Sequence, residues 1–401
     1  MNQPKYSFIR SMEGDMLRSV AAALFLLSIV LINQMPSTVF TLLYYVSASL
    51  CCVLGFFPDR KGLRLPLLAE ALMLMIAVTG VINIVLTGNS TVQKQLFTIM
   101  SVGIALLLLD RRVGRHIFTL AFLVNALVVL AGIALNGSRG PIYYDSSVNF
   151  VSVHLLCPML LYYCSGEESG ENAPLWPALL TFAMCLAVQG RAGILFTAFF
   201  LFGVLFFRLF PRFLRLERRK KYLIVLAGVA LCVLAVVLVI AFDVVDRVEL
   251  FARFAEHGFS SNGRFKIWSD YFLFSTESLQ DFLVAPDMSI IEHKPHLGKL
   301  GWGNLHNSFL NIHAYNGIVT FVTVLVLCVR SVWYGLRQRK WMYLLCFATF
   351  SLRSFTDFVF WGSPGTPFFF YFLFFPLVDS WKCHRLSLPL KTPFRRGKKA
   401  S

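Results

Sequence analysis

The stretch IFTLAFLVNALVVLAGIALN, residues 117–136, decides the fold class of this chain. It contains no charged residue, and it follows the basic segment 110–116. A helix rises about 1.5 Å per residue and the hydrocarbon core of a bilayer is about 30 Å thick, so roughly 20 apolar residues are needed to cross it. The stretch therefore predicts a transmembrane helix.

The composition places the whole chain in the same class. Of 401 residues, 57% are hydrophobic and 14% are charged, which leaves too little polar surface for a water-soluble globule of this size. The net charge of +16 clusters in short loops between apolar runs, so it indicates membrane topology, and we predict no nucleic-acid partner. The nine cysteines lie in or near apolar runs without paired spacing, and we predict neither a disulfide nor a zinc site.

Twelve apolar runs meet or approach the length of a spanning helix. They lie at residues 18–34, 38–57, 67–87, 96–110, 117–136, 148–164, 177–190, 193–210, 223–243, 308–329, 341–358 and 367–381. Lys and Arg collect on the cytoplasmic side of membrane proteins, and an N-terminus placed inside puts 27 of the 37 Lys and Arg in inner segments. We predict an all-α polytopic protein of about twelve transmembrane helices, a single integral-membrane domain over residues 1–401, with both termini in the cytoplasm.

One long polar segment, residues 243–307, joins the ninth and tenth runs on the outer side, where every other connection is short. Long ordered loops are uncommon and are usually functional. The alternation of aromatic and polar residues in this segment favours short amphipathic helices near the membrane surface. We therefore predict that the 243–307 loop carries part of an active site.

Three arginines lie at the outer ends of predicted spans or in the outer loop, where ionisable groups tend to be functional. Arg191 lies beside glycines between the seventh and eighth spans, and Arg264 precedes Trp268. Arg353 lies four residues before Asp357. A guanidinium matches phosphate oxygens and stays charged, so these positions predict phosphate binding. The alternative is that they contact lipid headgroups or, for Arg353, pair with Asp357.

The segment GNLHNSFLNIHAYNGIVT, residues 303–320, leads from the loop into the tenth span. On a helix, His306, His313 and Gly317 would lie along one face. His306 can act as a general base near neutral pH, with Asn307 or Asn311 as a hydrogen-bonding partner. The alternative is a polar cap of the helix at Asn304 or Asn307, with His306 at the interface only.

A metal site is not indicated. His293 and His296 are close together, but Pro295 prevents a helical presentation, and no third ligand occurs at a regular offset except the adjacent Glu292. The chain also lacks the glycine-rich motifs that bind nucleotide phosphates or dinucleotides. We therefore predict no metal and no cofactor.

Taken in order, these motifs resemble the O-antigen ligase and O-antigen polymerase superfamily of bacterial surface-polysaccharide enzymes. The matching positions are the glycine-arginine segment 189–192, the Gly-Arg pair 263–264 with Trp268, and the His-Asn pair 306–307 followed by Gly317. The resemblance implies about twelve spans in the bacterial inner membrane, with one large periplasmic loop between the ninth and tenth.

The resemblance further implies a metal-independent, inverting glycosyltransferase that needs no cofactor. Its donor would be an undecaprenyl-diphosphate-linked glycan, and its acceptor a glycan or lipid A-core. Arg191 and Arg264 would stabilise the departing diphosphate, and His306 would take the proton of the acceptor hydroxyl. The predicted substrate-binding residues are Asn307, His313, Arg353, Arg139 and Lys266.

Polymerase and ligase share the donor site, so the motifs do not separate them. Residues 149–152, at the start of the sixth span, resemble the polymerases more and favour that assignment. A polymerase would work with a chain-length co-polymerase and with membrane lipids. A transporter of lipid-linked sugars is the other class, but the sequence shows neither midplane charges nor paired repeats. A scaffold explains the clustered Arg and His poorly.

Overall fold

The computed structural model describes residues 4–35, 37–56, 64–110, 112–137, 142–143, 148–168, 174–220, 222–223, 226, 264–288 and 305–387. Throughout these ranges the regular structure is helical and no strand occurs. The all-α prediction is therefore confirmed.

The helices are numbered in chain order over the described residues. They are α1 (Pro4–Gln34), α2 (Thr38–Phe56), α3 (Arg64–Leu86), α4 (Val92–Leu108), α5 (Arg115–Asn136), α6 (Val148–Glu168), α7 (Trp176–Val188), α8 (Arg191–Leu214), α9 (Arg264–Ser275), α10 (Leu279–Val284), α11 (Ser308–Arg337), α12 (Trp341–Phe355) and α13 (Thr366–Ser387). Eleven of the twelve apolar runs coincide with one of these helices. The ninth run, 223–243, lies almost wholly outside the described residues, as does most of the 243–307 loop.

Six helices are long and apolar enough to cross a membrane. They are Asp15–Gln34, Thr38–Phe56, Leu67–Leu86, Arg115–Asn136, Arg191–Leu214 and Ser308–Arg337. Three shorter apolar helices accompany them, at Val92–Leu108, Trp176–Val188 and Thr366–Asp379. Helices suit this solvent because lipid offers no partner for an exposed backbone N–H or C=O. The chain is a multi-pass membrane protein, and the number twelve stays a prediction.

Small residues bring the first helices close together. A Cβ atom on Gly103 of α4 would lie 2.7 Å from the carbonyl oxygen of Cys52 in α2, and one on Gly55 would lie 1.9 Å from the carbonyl oxygen of Gly103. Such contacts between backbones are typical of membrane helices, which associate through close packing of small residues. They bring α4 against α2, and α4 also packs against α3 and α13.

Helix α11 is kinked one third of the way along its length. Gly317 has φ 73° and ψ −178°, a conformation that glycine adopts without a steric penalty. A Cβ atom there would lie 2.4 Å from the carbonyl oxygen of Leu283, at the end of α10. The glycine therefore permits both the kink and the close approach of α10.

A buried polar network holds the kink. Asn316 Nδ2 donates to the carbonyl oxygen of Ile76 in α3 (3.0 Å) and to Gln95 Oε1 in α4 (3.1 Å). The indole N–H of Trp361, in the loop between α12 and α13, donates to Asn316 Oδ1 (2.8 Å). Because unpaired polar groups are costly away from water, these bonds fix α11 against three other elements.

Candidate functional site

Three ionisable side chains meet where α11 begins and α12 ends. His306 Nδ1 lies 3.4 Å from Asp357 Oδ1, and Arg353 Nη2 lies 3.3 Å from Asp357 Oδ2. An ionised carboxylate only accepts hydrogen bonds, so His306 carries its proton on Nδ1 and donates it to Asp357. In the neutral imidazole, Nε2 is then the basic nitrogen.

The three groups differ in exposure. The side chain of Arg353 is 2% exposed, that of Asp357 is 6% exposed and that of His306 is 17% exposed. Arg353 is also held by Ser152 of α6, since its Nε donates to the serine Oγ (3.3 Å). Arg353, Asp357 and His306 therefore form a charge network in which Arg353 lies in the interior of the bundle. His306 is the member most accessible to a substrate.

Ser308 fixes the segment that carries Asp357. Its hydroxyl donates to the carbonyl oxygen of Asp357 (2.9 Å) and accepts the backbone N–H groups of Val359 (2.7 Å) and Phe360 (3.1 Å). The Phe360 ring in turn stacks on Phe369 of α13, with the ring centroids 3.8 Å apart. The first residue of α11 thereby positions the carboxylate that contacts His306.

Asp357 remains ionised at any physiological pH. Burial acts to raise the pKa of Asp357, but the hydrogen bond from His306 and the charge of Arg353 oppose it. The backbone N–H of Phe358 and the charge of Arg264 act in the same direction, and the resulting pKa is about 2. The carboxylate is a permanent partner for the His306 ring.

Arg264 belongs to the same electrostatic environment, because its charge helps lower the pKa of Asp357. It is the first residue of α9, and one turn later the indole N–H of Trp268 donates to the carbonyl oxygen of Leu305 (2.9 Å). That bond holds α9 to the residue before His306. The structure thus brings the predicted residues Arg264 and His306 to the same end of the bundle.

Arg191 is the first residue of α8, and the preceding Gln189 turns the chain with φ 58°. A Cβ atom on Gly193 would lie 2.8 Å from Cβ of Ser152, the residue whose hydroxyl contacts Arg353. The start of α8 is therefore packed beside the interior end of the charge network. Gln189 Oε1 is buried there and has no hydrogen-bond partner among the described residues.

His306 is not on the helix, contrary to the face predicted from residues 306–317. Helix α11 begins at Ser308, and Asn307 is its cap, with Oδ1 accepting from the backbone N–H groups of Phe309 (3.0 Å) and Leu310 (3.2 Å). His306 precedes the cap with φ 47°, a left-handed conformation that is uncommon outside glycine and is concentrated at functional sites. His306 thus lies in a turn before the cap, and from there its ring reaches Asp357.

The remaining candidates are placed differently. His313 has both ring nitrogens occupied, since Nδ1 accepts from Tyr271 Oη (2.7 Å) and Nε2 donates to the carbonyl oxygen of Phe282 (2.9 Å). It joins α9 and α10 to α11. Lys266 is exposed on α9, and Arg139 lies outside the described residues.

A cavity of about 400 Å³ begins one residue beyond Asp357. Helices α1, α5, α6 and α13 and the α12–α13 loop form its walls, which are mainly apolar. Its polar side chains are Asn33, Asn125, His154 and Ser363. Among the described residues, no group of three or more His, Cys, Asp or Glu side chains is arranged to hold a metal ion.

From the sequence, Asp357 was predicted only as a pairing partner of Arg353. Ser308 was not predicted to be part of the site. The four-residue spacing of Arg353 and Asp357 indicated their contact. The 51 residues that separate His306 from Asp357 gave no such signal, because that contact depends on how α11 and α12 pack.

Similarity to known proteins does not identify this site. No family model, curated protein or solved structure matches the chain.

Proposed function

We propose that this protein is a glycosyltransferase of surface-polysaccharide assembly in the bacterial inner membrane. It transfers a glycan from undecaprenyl diphosphate to the hydroxyl of an acceptor sugar at the periplasmic face, with both termini in the cytoplasm. The observation that carries the proposal is the His306–Asp357 pair, which Arg353 holds from the interior and which lies near Arg264, because it combines a positioned base with a cation suited to phosphate.

The reaction follows from these groups. Nε2 of His306 takes the proton of the acceptor hydroxyl while the oxygen attacks the anomeric carbon, and Asp357 stabilises the imidazolium that forms. The bond between the anomeric carbon and the diphosphate oxygen breaks, and the electron pair leaves with the diphosphate. Arg264 and Arg191 stabilise the charge that develops on it. A single displacement of this kind inverts the anomeric configuration and requires no metal.

The surroundings of the cluster support an amphiphilic donor. The apolar cavity that begins beside Asp357 suits part of an isoprenoid chain, while the arginines suit the diphosphate at its end. A soluble sugar nucleotide would gain nothing from those apolar walls. O-antigen polymerase is the favoured activity, with the growing glycan as donor and the next lipid-linked repeat as acceptor, and O-antigen ligase onto lipid A-core is the alternative.

The test is a gel profile of lipopolysaccharide and lipid-linked glycan from a strain that lacks this gene. Single repeats on lipid A-core would identify a polymerase, because ligation continues without it. Long chains left on the undecaprenyl carrier, with bare core, would identify a ligase instead. Unchanged profiles of both pools would contradict the proposed function.

Complementation then tests the site. His306→Ala and Arg191→Ala should each abolish transfer while the protein stays in the membrane at its normal level. Arg337→Gln, which changes an exposed arginine at the far end of α11, is the matched control and should restore the profile. Glycan transfer retained by both alanine variants would refute the assignment of the site.

A further inference from the structure

A second, larger cavity lies at the opposite end of α12 from Arg353. Its volume is about 990 Å³, and Trp341 and Met342 at the start of α12 contribute to its wall. The other walls come from α5, α6 and α8. The His306 cluster consists of His306, Asp357, Arg353 and Arg264. None of these residues lines the second cavity, so the cavity does not belong to that site.

Four arginines line this cavity. Arg208, Arg212 and Arg215 follow one another at spacings of four and three residues, so they lie along one face at the end of α8. Like charges at this spacing repel each other and destabilise a helix. The helix dipole favours a cation at the end of α8, but it does not account for Arg115, which faces the same cavity from α5.

Arg115 is held in position before any ligand binds. Its guanidinium carbon lies 4.0 Å from the ring centroid of Tyr162, an arrangement that suits a planar cation. The next ring along α6, Tyr163, also lines the cavity and donates its hydroxyl to the carbonyl oxygen of Pro174 (2.5 Å). One side of the cavity is therefore fixed by aromatic contacts.

Positive charge outweighs negative charge among the lining residues that the structure describes. Glu167 is the one carboxylate among them, and its oxygens accept the backbone N–H groups of Met342 (3.2 Å) and Tyr343 (2.7 Å) at the start of α12. Glu167 thus serves the end of that helix. The electrostatics favour an anionic ligand of more than one acceptor oxygen.

An apolar groove continues from the cavity along α8. Its volume is about 610 Å³, and it is lined by Phe199, Phe202, Gly203, Leu205, Phe206, Leu209, Phe210 and Phe213. Phe206 and Phe210 line both spaces, and their rings stack with the centroids 4.6 Å apart. The positive cavity therefore opens directly onto a surface suited to a hydrocarbon chain.

We propose that this cavity binds an anionic phospholipid, with the phosphate of the headgroup among the four arginines and an acyl chain in the groove along α8. Basic pockets between membrane helices are known to hold anionic headgroups. A free phosphate or a nucleotide would use the arginines but leave the phenylalanine groove empty. The lipid neutralises the repulsion between the arginines and joins the ends of α5, α8 and α12.

The test uses the full-length protein in a neutral detergent and measures quenching of its tryptophan fluorescence by brominated phosphatidylglycerol. Trp341 lines the cavity, so saturable quenching should be clearly weaker in Trp341→Phe. Arg208→Gln with Arg212→Gln should weaken binding at least tenfold. Arg330→Gln with Arg337→Gln removes the same charge from exposed positions of α11 and should leave binding unchanged.

Two further measurements distinguish a bound anionic lipid from a free phosphate and from nonspecific lipid contact. Brominated phosphatidylcholine should quench without saturation, and inorganic phosphate should not displace phosphatidylglycerol. The charge-preserving pair Arg208→Lys with Arg212→Lys should retain binding within threefold even if the glutamine pair does not fold. Equal binding by the two glutamine pairs, equal affinity for the two lipids, or displacement by phosphate would each overturn the proposal.

Discussion

Asp357 contacts His306 and Arg353 at once, so its removal affects a base and a buried cation together. Asp357→Asn keeps the acceptor for the backbone N–H of Phe358 but loses the negative charge. Under the proposed mechanism we expect transfer to fall on the order of 100-fold. We also expect lower stability by about 3–5 kcal/mol, because Arg353 is left buried without its counter-ion. Transfer and thermal unfolding in detergent measure the two effects.

A double variant separates catalysis from stability. Arg353→Met combined with Asp357→Asn also removes the Arg353 charge that Asp357→Asn alone leaves buried. Replacement of a buried ion pair by uncharged residues is often close to neutral for stability. We expect the double variant to regain most of the lost stability without regaining transfer. If transfer returned with stability, Asp357 would serve the fold alone and not the His306 ring.

The two interpretations of Asn307, substrate contact and helix cap, are also separable at this scale. Asn307→Ser keeps a side-chain oxygen for the backbone N–H groups at the start of α11 and loses the amide, whereas Asn307→Ala loses the cap at a cost of about 1 kcal/mol. Because both bonds of Asn307 Oδ1 are cap bonds, we expect serine to preserve stability and transfer. Normal stability with lost transfer in the serine variant would instead indicate substrate contact.

At the scale of elements, the kink of α11 depends on one glycine. Gly317→Ala forces a side chain into φ 73° and against the carbonyl oxygen of Leu283, and we expect a loss of about 2–3 kcal/mol in the free energy of unfolding. Displacement of α10 should also weaken the bond between His313 and Phe282.

Gly88 provides the control, because it too has a positive φ, of 67°, but a Cβ atom there meets nothing within 4 Å. Gly88→Ala should therefore cost about 1 kcal/mol, the conformational strain alone. The comparison is made by thermal unfolding of both variants in the same detergent. Equal losses would show that the approach of α10 does not explain the glycine at 317.

The helices were predictable because an apolar run that crosses the bilayer must pair its backbone N–H and C=O groups with each other. A helix does this within one segment. The run at 117–136, for example, became α5 at Arg115–Asn136. The start of α11 at Ser308 agrees with the predicted run 308–329 and with the cap at Asn307 that the sequence offered as an alternative. The kink at Gly317 was not predictable, since it depends on the approach of α10. The His306–Asp357 contact was missed for the same reason: it is a property of packing.

At the scale of the whole molecule, the described helices constrain the part of the chain between them. Helix α8 ends at the arginine cavity, beside the start of α12, whereas α9 lies with His306 near the end of α12. We therefore predict that the chain crosses the bilayer once more between residues 220 and 264. The run 223–243 is the one apolar stretch of sufficient length in that interval.

Reporter fusions test this argument directly. Green fluorescent protein should fluoresce when fused after Lys220 and at the C-terminus, because it matures in the cytoplasm. Alkaline phosphatase should be active when inserted after Gly88 or within residues 289–300, because it matures outside. The informative pair is 220 and 289–300: opposite locations require an odd number of crossings between them, and the ninth run supplies one. If both fusions were on the same side of the membrane, the ninth run would not cross it. The His306 cluster and the arginine cavity would then lie at the same membrane face.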